Sequence, residues 1–454
     1  MGTDQRSPGT DEWGERLPRT LGLFDATAVL IGVTVGSGIF RVPATVAALL
    51  HEPGPVLVCW LLGGLVALFG ALTLAELAGA LPRSGGIFAY LLETFGPLPA
   101  FVFGWTELTV IRASALGATA TIFAEYVGYY VRLTPEQVRY IAAAAIVAIG
   151  ALNYFGAKRA AVLMSFSTAG KFAAVLTLGL LAFTAGTGSA AHFSPLWGSG
   201  LNLSLLGTAL IPVLWTYDGW ADLSFMGGEV RDPQRTLPLA LVLGTVCVML
   251  AYVVVNLGFM YLLPLQQIGE SKLIAATAAE HIPQLGNAGA SLIAAVVLVS
   301  SISGLNGSMM TGPRIFFAMA DQGLFFRAVA RVSPEFHTPS IAIWLATALG
   351  VIYVLTNGFA QLADRFILGI WPFYALCVAG VFVLRRRRPE LARPYRVPGY
   401  PLVPALFLLA SFGMIANALV TDPWNSGITF ALIASGIPAY FLWGRYGRAR
   451  RTHS

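Results

Sequence analysis

Apolar residues in this chain come in runs as long as a bilayer is thick. A helix needs roughly 20 of them to cross the hydrocarbon. Twelve runs qualify, at 21–47, 55–81, 96–128, 138–156, 162–185, 205–230, 238–262, 286–320, 340–356, 362–384, 401–420 and 427–444. Each is predicted to be a helix. The third and eighth are long enough to imply tilt or extension beyond the bilayer. The stretch 263–285 reads as a connecting loop with some helical character.

Two runs are interrupted by small and polar residues at matching places. The first reads IGVTVGSGIF, with Gly32, Gly36 and Gly38. The sixth reads WTYDGWADLSFMGGE, with Asp218, Gly219, Gly227 and Gly228. Five runs make up the first block, and an odd number inverts a second copy relative to the first. Paired, interrupted helices in corresponding halves point to a transporter's substrate site. Either cluster alone reads better as close helix packing, and it is the pairing that points to a site.

Breaking a helix in mid-membrane frees backbone groups that must find partners. Past Gly36-Ser37-Gly38 a half-helix begins, so N–H groups and a positive dipole end face the gap and suit a carboxylate. Before it, Val33, Thr34 and Val35 end a half-helix with free carbonyls, which suit an ammonium. An α-amino acid carries both groups on one carbon. The segment from Trp215 through Thr216 and Asp218 to Gly219 offers the same opportunity.

Composition changes the solvent, not the elements. Of 454 residues, 56% are hydrophobic and 11% charged, against about 25% charged in soluble domains. Lipid is therefore the main solvent. The net charge of +6 suggests nucleic acid only until the charges are placed. With the N-terminus inside, Arg41, Arg132, Arg139, Lys272 and Arg365 fall outside, Arg112 and Lys171 fall within the membrane, and every other Lys and Arg falls inside. That is the positive-inside bias. It predicts cytoplasmic termini in the cell's inner (plasma) membrane, with Arg385–Arg388 as a topology anchor and no nucleic-acid partner. Residues 1–20 carry no signal-peptide pattern and read as a cytoplasmic tail, as do 445–454.

The three cysteines, Cys59, Cys247 and Cys377, sit inside apolar runs as packing residues, in no metal-ligand or disulfide pattern. The five histidines, His51, His192, His281, His337 and His453, fall in loops or tails. No enzyme motif is present, and neither catalytic residues, cofactor nor metal is expected. The intramembrane charges carry the remaining chemistry. Lys171 is a functional residue or a snorkelling one. Glu107 and Arg112 form a buried structural pair. Asp218 binds a substrate cation or caps the broken helix. Trp215 stacks over substrate or packs. Glu76 and Glu229 lie near helix ends, where solvated or gating roles are expected.

These residues, taken in order, resemble the amino acid–polyamine–organocation superfamily. Within it the chain is most similar to the L-type amino acid transporter family, in particular its bacterial serine/threonine exchanger branch. The likeness runs from Leu21 to Trp443. It rests on VGSGIF (35–40), ELAGALPRSGGIFAYLLETFG (76–96), WTELTVIR (105–112), TAGK (168–171), YDGW with GGEVRDP (217–233), and SGLNG with PRIFFAMA (303–320). The resemblance implies an all-α membrane protein of LeuT-type fold with 12 transmembrane helices. Residues 21–185 and 205–384 would be two inverted five-helix repeats, and 401–444 two added helices. It implies that Ser37 and Gly38 meet the substrate carboxylate, and that Thr34 and carbonyls of the sixth span meet its amine. Lys171 would stand where relatives hold sodium, Trp215 would be a gating aromatic, and a seventh-span tyrosine near the site would be Tyr252.

The function implied is a sodium-independent exchanger of small neutral amino acids such as serine, threonine or alanine, working by alternating access. A proton-coupled symporter, with Lys171 titrating, and an amino-acid-binding membrane sensor are the alternatives. Eukaryotic members carry a cysteine between the third and fourth spans that bonds a glycoprotein heavy chain. Residues 129–137 have none, so no disulfide-linked heavy chain is expected.

Overall fold

A computed structural model describes residues 19 and 21–451, apart from 83–84, 156, 185–186, 199, 322, 326–328, 330–332, 334 and 337. Most of the expected N-terminal tail, with His337 and His453, lies outside the described residues. Where a C-terminal tail was expected from 445, helix continues to Arg451. Among the described residues there is one isolated β-bridge and no strand.

Among the described residues seventeen α-helices follow one another. They are α1 (Leu23–Thr34), α2 (Val42–Leu50), α3 (Pro53–Ala80), α4 (Gly86–Phe95), α5 (Pro97–Thr106), α6 (Arg112–Val127), α7 (Pro135–Tyr154), α8 (Ala157–Thr184) and α9 (Leu203–Tyr217). The chain continues with α10 (Pro233–Leu262), α11 (Leu265–Glu270), α12 (Ile274–Glu280), α13 (Gly286–Asp321), α14 (Ser340–Thr356), α15 (Phe359–Arg387), α16 (Leu402–Thr421) and α17 (Pro423–Arg451). Over its described residues each of the twelve apolar runs is helical for most of its length. By length and composition, 7 helices among the described residues can cross a membrane alone: α3, α7, α10, α15, α16 and the apolar parts of α13 and α17. The protein is thus an integral, multi-pass membrane protein. The other runs are carried by shorter or interrupted helices.

The interruptions have local causes. Helix α1 ends at Thr34, three irregular residues follow, and Gly38–Phe40 form a 3-10 turn before α2 starts with Pro43 in its first turn. Helix α9 ends at Tyr217, and Gly219 takes φ +108°, a left-handed value that an α-helix cannot contain. A 3-10 segment then covers Asp222–Glu229. The two broken elements meet at their far ends in a parallel bridge between Leu21 and Val230. Leu21 N–H reaches Glu229 O at 3.1 Å, and Arg231 N–H reaches Leu21 O at 2.8 Å.

The sequence pattern missed two features. The segment between the second and third runs contains the short helix α4. Between α5 and α6, residues Glu107–Ile111 form one π-helical turn. The loop expected over 263–285 holds α11 and α12, so its helical character is realised.

Candidate functional site

The broken ends of α1 and α9 face each other closely. A Cβ built at Gly38 would lie 3.0 Å from the Trp215 ring and 3.0 Å from Thr216 Oγ1. One built at Gly219 would lie 3.0 Å from both Cα and N of Thr34. A side chain at Gly38 would press on the Trp215 and Thr216 side chains, and one at Gly219 on the Thr34 backbone, so the neighbour would have to give way at either place.

Between these ends lies a cavity of about 140 Å³. Of the residues singled out in the sequence, Thr34, Gly36, Ser37, Gly38, Lys171, Trp215, Thr216, Asp218 and Gly219 line it. Val35 does not, and its side chain packs in the core. Among the described residues, the N–H groups of Ser37 and Gly38 find no backbone acceptor. They form a small patch of unpaired donors, suited to an anion. The Thr34 hydroxyl is buried without a partner. A group left in that condition costs about 1–3 kcal/mol, which a ligand atom facing it would remove.

Tyr252 on α10 stands behind the breaks and off the cavity wall. Its hydroxyl shares its one proton between Thr34 O at 3.0 Å and Thr216 O at 3.2 Å, so one side chain ties both half-helix ends together. The ring packs at 5.1 Å from Tyr217 and 6.1 Å from Trp60. The Tyr217 hydroxyl in turn reaches Trp60 O at 3.2 Å.

Lys171 is 4% exposed and lines the cavity. It has no hydrogen-bond or ion-pair partner among the described residues. Its helix, α8, packs on α1 and α13. The ammonium is therefore turned toward the helix breaks and not toward lipid.

Further charged and polar groups in the wall, among them Glu107, Arg112, Asp222 and Thr311, went unrecognised as site residues. Arg112 Nη2 meets Glu107 Oε2 at 3.1 Å, and Nη1 meets Thr311 Oγ1 at 3.3 Å. Both charged residues, read from sequence as a structural pair, border the cavity with Thr311 and Asp222. An interval of five residues puts two side chains about 140° apart on an α-helix. The π turn that begins at Glu107 removes much of that angle. The five-residue spacing of opposite charges inside an apolar run was the available signal. Asp222 lies one turn beyond Asp218 and could have been read from that spacing. Asp218 accepts a hydrogen bond from Tyr374 at 2.8 Å.

Above Trp215 the cavity is closed in layers. The Trp215 ring meets Phe359 edge-on at 5.4 Å. The Arg41 guanidinium covers Phe359 at 5.1 Å and is held by Glu125 at 2.9 Å. The opposite end of the molecule has its own clamp. Glu76 is buried, not solvated, and Arg385 binds both of its oxygens, at 2.8 and 2.5 Å.

Residues 21–444 match the protein family described as amino acid permease. The chain is 30% identical over 430 residues to the serine/threonine exchanger SteT of Bacillus subtilis (strain 168), covering 94% of this chain and 97% of that one. It is 30% identical over 439 residues to the human b(0,+)-type amino acid transporter 1, covering 95% and 89%. It is 30% identical over 448 residues to the human cystine/glutamate transporter, covering 97% and 88%.

Proposed function

The chain belongs to the amino acid permease family, whose members matched here are amino acid transporters, and from that premise we propose that it is a sodium-independent exchanger of small neutral L-amino acids. Serine, threonine and alanine are the substrates that a cavity of about 140 Å³ suits best, and the similarity to a serine/threonine exchanger supports the same choice. The substrate carboxylate sits on the N–H groups of Ser37 and Gly38. Its ammonium meets the α1 and α9 carbonyl ends near Thr34 and Thr216. Lys171 supplies the fixed positive charge that a sodium ion provides elsewhere.

The carrying observation is the pair of broken helices facing one polar cavity, with unpaired N–H donors on one side and a buried, unpartnered lysine beside them. On this reading the fold is LeuT-type. Residues 21–185 and 205–384 are inverted five-helix repeats, 401–444 add two helices, and the termini are cytoplasmic in the plasma membrane. Trp215, backed by Phe359, gates the side bearing Arg41. Alternating access opens that side while the opposite one closes. No disulfide-linked heavy chain is needed.

Two unit charges about 4 Å apart repel by about 4 kcal/mol at an effective dielectric of 20. Sodium beside Lys171 would therefore bind roughly a thousandfold more weakly. In proteoliposomes, replacing sodium by choline should leave labelled serine uptake unchanged, and serine, threonine or alanine inside should accelerate it. Uptake that requires sodium and ignores internal amino acid would overturn the assignment.

One observation favours a second reading, proton-coupled symport. Glu107, Asp218 and Asp222 line the cavity against Arg112 and Lys171, so a zwitterionic substrate leaves one negative charge unbalanced. Uptake driven by an imposed pH gradient, with no internal amino acid, would select it.

A further inference from the structure

The six arginines that end α15 and follow it are not equivalent. Arg385 is committed to Glu76. The same carboxylate accepts the Val397 N–H at 2.9 Å. Arg393 lies 3.5 Å from Glu76 and closes the end of α15 by donating to the carbonyls of Leu384 at 2.9 Å and Arg388 at 2.8 Å. Arg388 pairs with Glu93 of α4. Arg386, Arg387 and Arg396 remain. All three are exposed, and none has an ion pair or hydrogen bond among the described residues. Glu390 is the one acid in the sequence from 385 to 401, and it too has no ion pair among the described residues.

Their position selects a partner. Helix α15 is apolar enough to cross a membrane, and it stays largely apolar up to Leu384. The arginine run therefore starts where hydrocarbon gives way to headgroups. Val397, pinned on Glu76, and Arg393, pinned on the helix end, hold Arg396 on the same rigid rim. Guanidinium groups present forked donors that match a phosphate. Cations beside a spanning helix attract anionic lipid.

We propose that Arg386, Arg387 and Arg396 form a headgroup site for an anionic phospholipid. The neighbouring arginines are consumed by the Glu76 and Glu93 pairs. These three are left to the leaflet, beside a frame fixed by the bonds of Arg393 and of the Val397 N–H. The site adjoins the clamp that joins α3, α4 and α15, so an occupied site braces that end of the molecule.

The test uses the full chain in detergent and follows its thermal unfolding midpoint. Added phosphatidylglycerol should raise the midpoint, while phosphatidylcholine and inorganic phosphate should not. In the triple variant R386Q/R387Q/R396Q the midpoint without lipid should stay unchanged. Its half-maximal phosphatidylglycerol concentration should rise roughly a hundredfold, each arginine near an anionic surface contributing about fivefold. R132Q/R139Q, at exposed positions elsewhere, should respond like the wild type. Should the triple variant unfold without lipid, Arg396→Gln on the loop must alone weaken the response about fivefold. Equal stabilisation by phosphatidylcholine, full stabilisation by inorganic phosphate, or an undiminished response in the variants would overturn the site.

Discussion

The hydroxyl of Tyr252 donates to the carbonyl of Thr34 at 3.0 Å, and the same hydroxyl reaches Thr216 O at 3.2 Å. One phenol thereby fixes the distance between two helix breaks that are far apart in sequence. Tyr252→Phe keeps the ring packing and removes the donor. Two buried carbonyls lose a partner, at a cost of about 1–3 kcal/mol. The variant should insert and fold, yet exchange roughly tenfold more slowly, measured as counterflow at saturating internal serine. An unchanged rate would mean that the breaks hold their spacing without the tyrosine.

Gly219 is constrained twice. Its φ is +108°, and a Cβ there would lie 3.0 Å from the Thr34 backbone. Residues forced into such backbone regions cost about 1–3 kcal/mol each. Gly219→Ala should lower the unfolding midpoint and abolish stabilisation by serine. Gly413, with nothing within 4 Å of an added Cβ, is the control, and Gly413→Ala in helix α16 should be neutral or slightly stabilising. Equal effects at the two glycines would remove the close-approach argument.

What could be read from sequence follows physical reach. The apolar runs were legible because a bilayer imposes one length on every helix. The breaks were legible because two such clusters stand at corresponding places in the two halves, where helix packing explains either one alone but not the match. Helix α4 was not, because its ten residues are too short for a spanning run and sit among turn-forming glycines. The place of Glu107 and Arg112 in the cavity wall depends on a π turn, which no periodicity announces. Tyr252 matched a family position near the site. That its hydroxyl bridges two carbonyls from behind the cavity is a fact of packing between α1, α9 and α10, and adjacent residues say nothing of it.

Lys171 is buried beside the breaks without a partner among the described residues. Lys171→Ala removes the cation that faces the proposed substrate site, so on the proposed function exchange should fall below detection while the protein remains monodisperse in detergent. Lys171→Arg should not restore it, because a planar fork does not replace a compact ammonium in a closed space. Wild-type counterflow in either well-folded variant would eliminate the role assigned to the lysine.

Glu107 and Arg112 meet at 3.1 Å with side-chain exposures of 2% and 11%. Taking both charges from water is expensive, and breaking such a pair costs more than replacing it. Removal of one partner leaves a buried, uncompensated charge worth about 3–5 kcal/mol. Arg112 opens on the cavity and keeps Thr311, so the penalty should fall at the low end of that range. Glu107→Ala strands the guanidinium and should lower the unfolding midpoint sharply. The double variant E107A/R112A strands neither charge and should recover much of the loss. The recovery appears as a coupling energy in a double-mutant cycle measured without substrate. Additive effects would show that the two side chains act independently. The π turn would then have to be explained by the shape of the cavity wall alone, since its most evident consequence, the joining of these two charges, would carry no energy.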